Sequence, residues 1–287
     1  MKNKNTLTIM VLLIVVLSAI TTLTGILSDE GPGVYQVESI RGETIDIYGR
    51  GLYRHMSADV AIQGIAQDYV TLIIGIPLLL LSLTGARRGS MRHRFLLAGT
   101  LGYFFVTFWF YTAMGMYNVM FLPYVALMGL SFFGLLMVLL SLGMGKIKDS
   151  FIQRAPRRFV GWLLIINAML VGLLWLGEVV PPLIDGTIYP AGLEHYTTVI
   201  VQGFDLGLLL PLAMVSGWLL LKGKPLGYLS ATAYIVFLAL LMTALTAKIV
   251  AMAMNGVNVI PVVFIIPTIN LITILAAIFM IRNIRTY

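Results

Sequence analysis

The sequence predicts an all-α integral membrane protein of eight transmembrane helices, and three observations carry that prediction. Eight apolar stretches each approach the ~20 residues that a helix needs to cross hydrocarbon. Their apolar pattern is nearly unbroken, as in Leu78 to Leu83 or Leu163 to Ile166, where a membrane barrel would need short strands of alternating polarity. The basic residues also fall on one side of the threading those stretches imply. A composition of 59% hydrophobic and 11% charged residues excludes an ordinary soluble domain.

The spans read as roughly 7 to 27, 66 to 86, 95 to 115, 119 to 142, 159 to 180, 200 to 221, 226 to 248 and 259 to 281. The first could be taken for a cleaved signal peptide, since Met-Lys-Asn-Lys precedes it, but it exceeds a signal core of ~7 to 15 apolar residues and no clean small-x-small cleavage site follows. A retained span is the expectation.

With the N-terminus in the cytoplasm, the inner segments collect Lys2, Lys4, Arg87, Arg88, Arg92, Arg94, Lys146, Lys148, Arg154, Arg157, Arg158, Lys222, Lys224, Arg282 and Arg285, which is 15 of the 19 basic residues. Flipping the chain would put every basic loop outside, so both termini are expected inside. The net charge of +7 then follows from threading beside anionic lipid and does not point to nucleic acid. The run Ala86 to Arg94 reads as a solvated loop at the lipid surface.

A division near 145 gives two four-helix halves, 1–145 and 146–287, with recurring landmarks. Asp68 and Asp205 stand near the outer start of each half's second helix, and Pro77 and Pro211 interrupt those helices. Leu101-Gly102-Tyr103 and Leu226-Gly227-Tyr228 are expected to open the third helices. Asn118-Val119 and Asn258-Val259 precede the fourth, which carry Pro123 and Pro267. Because four is even, such halves would form a parallel repeat about the membrane normal.

The one sizeable outer segment, 28–58, alternates through Val34, Val37, Ile40, Ile45, Ile47 and Leu52 around a turn at Arg41-Gly42. It predicts a small β-hairpin. Two strands alone are marginal in water, so the hairpin should pack on helix ends or on the breaker-rich loop 182–196. The run from Ile40 through Arg41, Gly42, Glu43, Tyr48 and Arg50 to Arg54, with Gln67-Asp68-Tyr69, Pro77 and Leu101-Gly102-Tyr103-Phe104, resembles a recurring pattern of uncharacterised bacterial multi-pass inner-membrane proteins with no assigned activity. The resemblance implies a bacterial inner-membrane protein carrying this outer hairpin and implies nothing about substrate.

Charged groups within spans are the best functional pointers, because each costs several kcal/mol at the bilayer centre. Here they are Asp68, Glu178, Asp205 and Lys248, and counting from the inner helix ends at ~1.5 Å per residue sets all four within about two turns of the outer interface. Thr198, Gln202 and Asp205 share one helix face, and Asp59, Gln63, Gln67 and Thr71 repeat every four residues. Together they suggest a wet outer vestibule, with Lys248 beside Asp205 or Glu178. Tyr103, Thr107 and Tyr111 form a third polar stripe amid aromatic residues, read chiefly as packing.

Several chemistries lack their residues. Cysteine is absent, and the three histidines, His55, His93 and His195, divide between the two faces, so no haem clamp, metal site or cofactor is expected. No phosphate-binding glycine loop occurs. A serine hydrolase from Ser57, Asp185, Glu194 and His195 has no supporting motif, and no catalytic residue is assigned. The expectation is a solute-binding or transporting bundle that uses Asp68, Asp205, Gln202, Thr198, Glu178 and Lys248 for a small polar or cationic solute. A receptor or assembly component that offers residues 34–54 to a protein partner is the alternative, and a lipid or quinone enzyme is the third.

Overall fold

The computed structural model describes residues 3–143, 145 and 147–285, so Lys2 and Lys146 lie outside the described residues. Eight helices are long and apolar enough to cross a membrane. They are α1 (Lys4–Leu27), α2 (Ala58–Arg87), α3 (Met91–Ala113), α4 (Phe121–Ser141), α5 (Arg157–Val179), α6 (Ile200–Leu221), α7 (Pro225–Met254) and α8 (Val262–Arg282). Leucines such as Leu173 and Leu174 on the bundle's outer surface are mostly exposed. That would be a liability in water and is ordinary in lipid.

Close helix approach is bought with small residues. A β-carbon on Gly99 would collide with Val236, which lets α3 and α7 pack against each other at the centre. Gly161 and Gly217 face each other's carbonyls and join α5 to α6. Around that centre α2 and α4 flank α3, α6 and α8 flank α7, and α1 lies across α2 and α4. Residues Thr232 to Leu240 of α7 are buried on every side, as befits the one helix that also reaches α2 in the other half.

Basic segments meet at one end of the bundle. Lys4 donates to the Arg87 carbonyl at 3.3 Å, Arg92 donates to the carbonyls of Arg282 and Ile284 at 2.8 Å, and Arg285 N–H reaches the Ser150 carbonyl at 2.7 Å. At the opposite end, β1 (Tyr35–Glu38) and β2 (Thr44–Ile47) form the expected antiparallel hairpin, with Gly42 in its turn at φ +79°. Arg41 at the tip donates to the carbonyls of Glu194 and Tyr196 at 2.9 and 3.0 Å and lies over the Tyr189 ring, which docks the hairpin on loop 182–196.

Three boundaries differ from the sequence reading. Helix α2 begins at Ala58, not near 66, because its first turns carry Asp59, Gln63 and Gln67, polar groups that end a hydropathy window without ending a helix. Asp68 therefore stands about 15 Å inside the helix start. Helix α7 runs on to Met254. Leu226-Gly227-Tyr228 does open α7, but Leu101-Gly102-Tyr103 lies deep within α3, which starts at Met91.

Helices α2 and α6 share a backbone device. Each contains one wide π turn, Thr71–Gly75 in α2 and Asp205–Leu209 in α6. Pro77 and Pro211 follow at identical spacing, and so do the positive-φ glycines Gly89 and Gly223 that end the two helices. Proline has no N–H and its ring crowds the carbonyl one turn back. Slipping the ladder by one residue is a way to relieve that crowding. By this spacing Thr71, and not Asp68, corresponds to Asp205. Asn118 and Asn258, each two residues ahead of an accepted backbone N–H, likewise form the same side-chain turn before α4 and α8.

Candidate functional site

The anticipated site residues fall into two groups, one around Asp68 and one around Asp205. In the first, Asp68 on α2 is 1% exposed. Tyr53, from the outer segment, donates its phenol hydrogen to Asp68 Oδ2 at 2.6 Å. Tyr111 on α3 donates to Asp68 Oδ1 at 3.1 Å and lies within reach of the Gly64 carbonyl at 3.0 Å. Lys248 on α7 stands within electrostatic range of Asp68 without closing an ion pair. Among the described residues the ion pair within 4.0 Å is Arg50 with Asp29, on the outer surface.

Glycines make room for this arrangement. A β-carbon on Gly25 of α1 would collide with the Asp68 carboxylate, and one on Gly64 would press on the Tyr53 ring at 3.3 Å. The Tyr53 ring thus slots between α1 and α2 to reach the acid. Burial, and then the Asp68 charge, push the Tyr53 phenol well above its ordinary range, so it stays a donor. Tyr111 packs edge-on to both Tyr53 and Tyr124, with centroids 6.4 and 5.2 Å apart. The Tyr124 hydroxyl is buried beside Tyr53 and Asn118, outside strict hydrogen-bond geometry.

A second layer lies beneath. Gln67 donates to Tyr103 at 2.7 Å and to Thr107 at 3.2 Å, and Thr71 meets the Tyr103 hydroxyl at 2.9 Å. The stripe Tyr103, Thr107 and Tyr111 therefore faces the polar side of α2 and is not simple packing. Its spacing was legible in the sequence, but its partner was not. Tyr53 and Tyr124 carried no such signal, because only the fold brings the outer segment and α4 to Asp68.

The second group forms a ladder between α5 and α6. Trp175 donates its indole N–H to Asp205 Oδ2 at 2.7 Å, and Gln202 donates to Glu178 Oε2 at 3.1 Å. Both carboxylates are half-buried. Thr198 is exposed and lies in the bend ahead of α6, which starts at Ile200. It therefore does not share a helix face with Gln202 and Asp205. Lys248 lies within electrostatic range of Asp68, and no interaction with Asp205 or Glu178 accompanies it among the described residues. At the hairpin end, Ser57 meets the Tyr196 hydroxyl at 3.4 Å while His195 Nε2 meets the His55 carbonyl at 3.1 Å, and no serine–histidine contact joins them among the described residues.

Comparison with protein-family models, with curated proteins and with solved structures gives no match in any of the three.

Proposed function

We propose that the protein binds a small organic cation at Asp68, beneath the outer segment, and passes it through the bundle. The observation that supports this reading most is a buried carboxylate held by two phenols, with a third phenol ring packed against one of them and no ion pair closed on it among the described residues. A carboxylate with aromatic walls suits an ammonium group, which gains both charge pairing and attraction to ring faces. Lys248 then acts as the resident counter-charge that an incoming cation displaces. Tyr53 belongs to the segment that covers the site, so its withdrawal opens Asp68 to the outer face. The paired π turns and prolines of α2 and α6 give each half a bendable helix, which fits two parallel halves moving against each other. The basic end is taken as cytoplasmic, at the inner membrane of a bacterium.

Purified protein in liposomes, offered radiolabelled methylammonium and tetramethylammonium, tests the reading. Uptake of at least one is expected, and Asp68→Asn should reduce it at least about 30-fold, the scale set by unpairing a buried charge. No uptake of either, or equal uptake by a folded Asp68→Asn protein, overturns it.

One observation favours a second reading, a receptor or assembly component. Ile40 at the hairpin tip is 95% exposed and Val34 is 59% exposed, beside a strand edge open to pairing. Replacing residues 34–46 by a short glycine-serine loop would then abolish function, while Asp68→Asn would be silent.

A further inference from the structure

A cavity of about 250 Å³ lies between α3, α4, α6 and α7, and Leu208 and Leu209 of the π turn that begins at Asp205 are part of its lining. Its floor is Gly102 and Phe105 of α3 with Tyr234 of α7, and its walls are Leu139 of α4 and Leu212 of α6. Its lining residues Leu208, Leu212 and Leu226 are exposed on the bundle surface, the part that lipid would cover. Almost every lining atom is apolar, and the exceptions are arranged by depth.

Ser216 on α6 and Ser230 on α7 both line it, each five residues from the end of its helix at Leu221 or Pro225. At 1.5 Å per residue that is about 7 to 8 Å above the basic end. Ser230 donates to the Leu226 carbonyl at 2.9 Å. Ser216 is 1% exposed and its hydroxyl has no partner. Ser82, at the same place relative to Pro77 as Ser216 is to Pro211, instead bonds the Leu79 carbonyl at 2.9 Å. Below the serines lie Lys222 and Lys224, both exposed and without an ion pair, in the turn that leads to the groove-lining Leu226. Lys222 extends over the Trp218 ring at 4.7 Å, an arrangement typical of the membrane interface.

From this ordering we infer that the groove is a binding site for one acyl chain of an anionic glycerophospholipid from the leaflet at the basic end. Cations at the mouth meet the phosphate, the Ser216 hydroxyl meets an ester carbonyl one helical turn or two deeper, and the apolar floor takes the chain. The sequence of charge, donor and hydrocarbon matches that of the lipid itself. A protein helix, ~10 Å across with its side chains, is too wide for a space of this volume. The site does not depend on Asp68 or on transport.

The test uses the full chain in nanodiscs of equal phosphatidylcholine and phosphatidylglycerol, doped with phosphatidylglycerol that carries a photoreactive diazirine on one chain. Cross-links should concentrate on Phe105, Leu135, Leu212 and Leu229. Gly102→Leu should reduce them at least ten-fold while leaving those at lipid-facing Leu173 unchanged, since a β-carbon there sits at an ordinary 3.6 Å from Phe237 and the added chain fills the groove. Should that protein fail to fold, Ser216→Leu fills the groove from the opposite wall and is read the same way. Each of Lys222→Gln and Lys224→Gln should lower the preference for phosphatidylglycerol over a phosphatidylcholine probe about five-fold. Labelling spread evenly over the lipid-facing surface, labelling that survives both filling variants, or a second copy of the chain cross-linked at this groove each overturns the proposal.

Discussion

Helices α2 and α6 carry the same π turn, proline and terminal glycine, yet the acid of one is sealed and that of the other is half open. Around Asp68, α1 presses Gly25 against the carboxylate, α7 brings Lys248 into electrostatic range, and the segment ahead of α2 inserts Tyr53. In the second half, Asp205 has only the indole of Trp175 as a side-chain donor. No segment corresponding to Tyr53 covers it among the described residues. The difference shows that a shared backbone device fixes where a helix can bend, while the neighbours decide whether a charge beside the bend is enclosed.

Substitutions that strain or open the sealed site break the comparison most directly. Gly25→Val should destabilise by about 3 kcal/mol or more, because its side chain drives into a packed carboxylate. Gly203→Ala in α6 has open space around it and should change stability by less than about 1 kcal/mol. Thermal melts of the two proteins in the same detergent compare them. Next in size is Tyr53→Phe, which removes a hydrogen bond to a buried carboxylate and should cost about 1.5 to 3 kcal/mol. Arg41→Ala, which frees the hairpin tip from two carbonyls and the Tyr189 ring, should cost about 1 kcal/mol and speed proteolysis of the hairpin. Smallest is Trp175→Phe, where solvent or lipid headgroups can replace the lost donor, at less than about 1 kcal/mol. A Trp175→Phe cost that exceeds that of Tyr53→Phe would mean the second acid is the more enclosed.

Eight spans and the hairpin were legible because hydrophobic length and strand alternation are properties of a chain segment on its own, whereas the hairpin's docking was left open between helix ends and loop 182–196. The polar stripes of α2 and α3 were legible as stripes. What the sequence could not carry was pairing between segments. Asp68 lies one residue off the stripe of Gln63, Gln67 and Thr71, so its phenol partners came from Tyr53 and Tyr111, which hydropathy treats as interface residues. Thr198 was misplaced for a related reason: a spacing of four predicts a shared face only if the helix has already begun, and α6 begins two residues later. The π turn at Asp205 shifts the face again, and no count of residues reveals it.

Under the proposed function the enclosed acid, Asp68, is the working one. Cation uptake into liposomes by Asp68→Asn and by Asp205→Asn, measured side by side with melts that show both proteins folded, tests it most directly. Asp68→Asn should lose at least about 30-fold while Asp205→Asn stays within about three-fold of the parent. Loss confined to Asp205→Asn, or no loss in either, would contradict it.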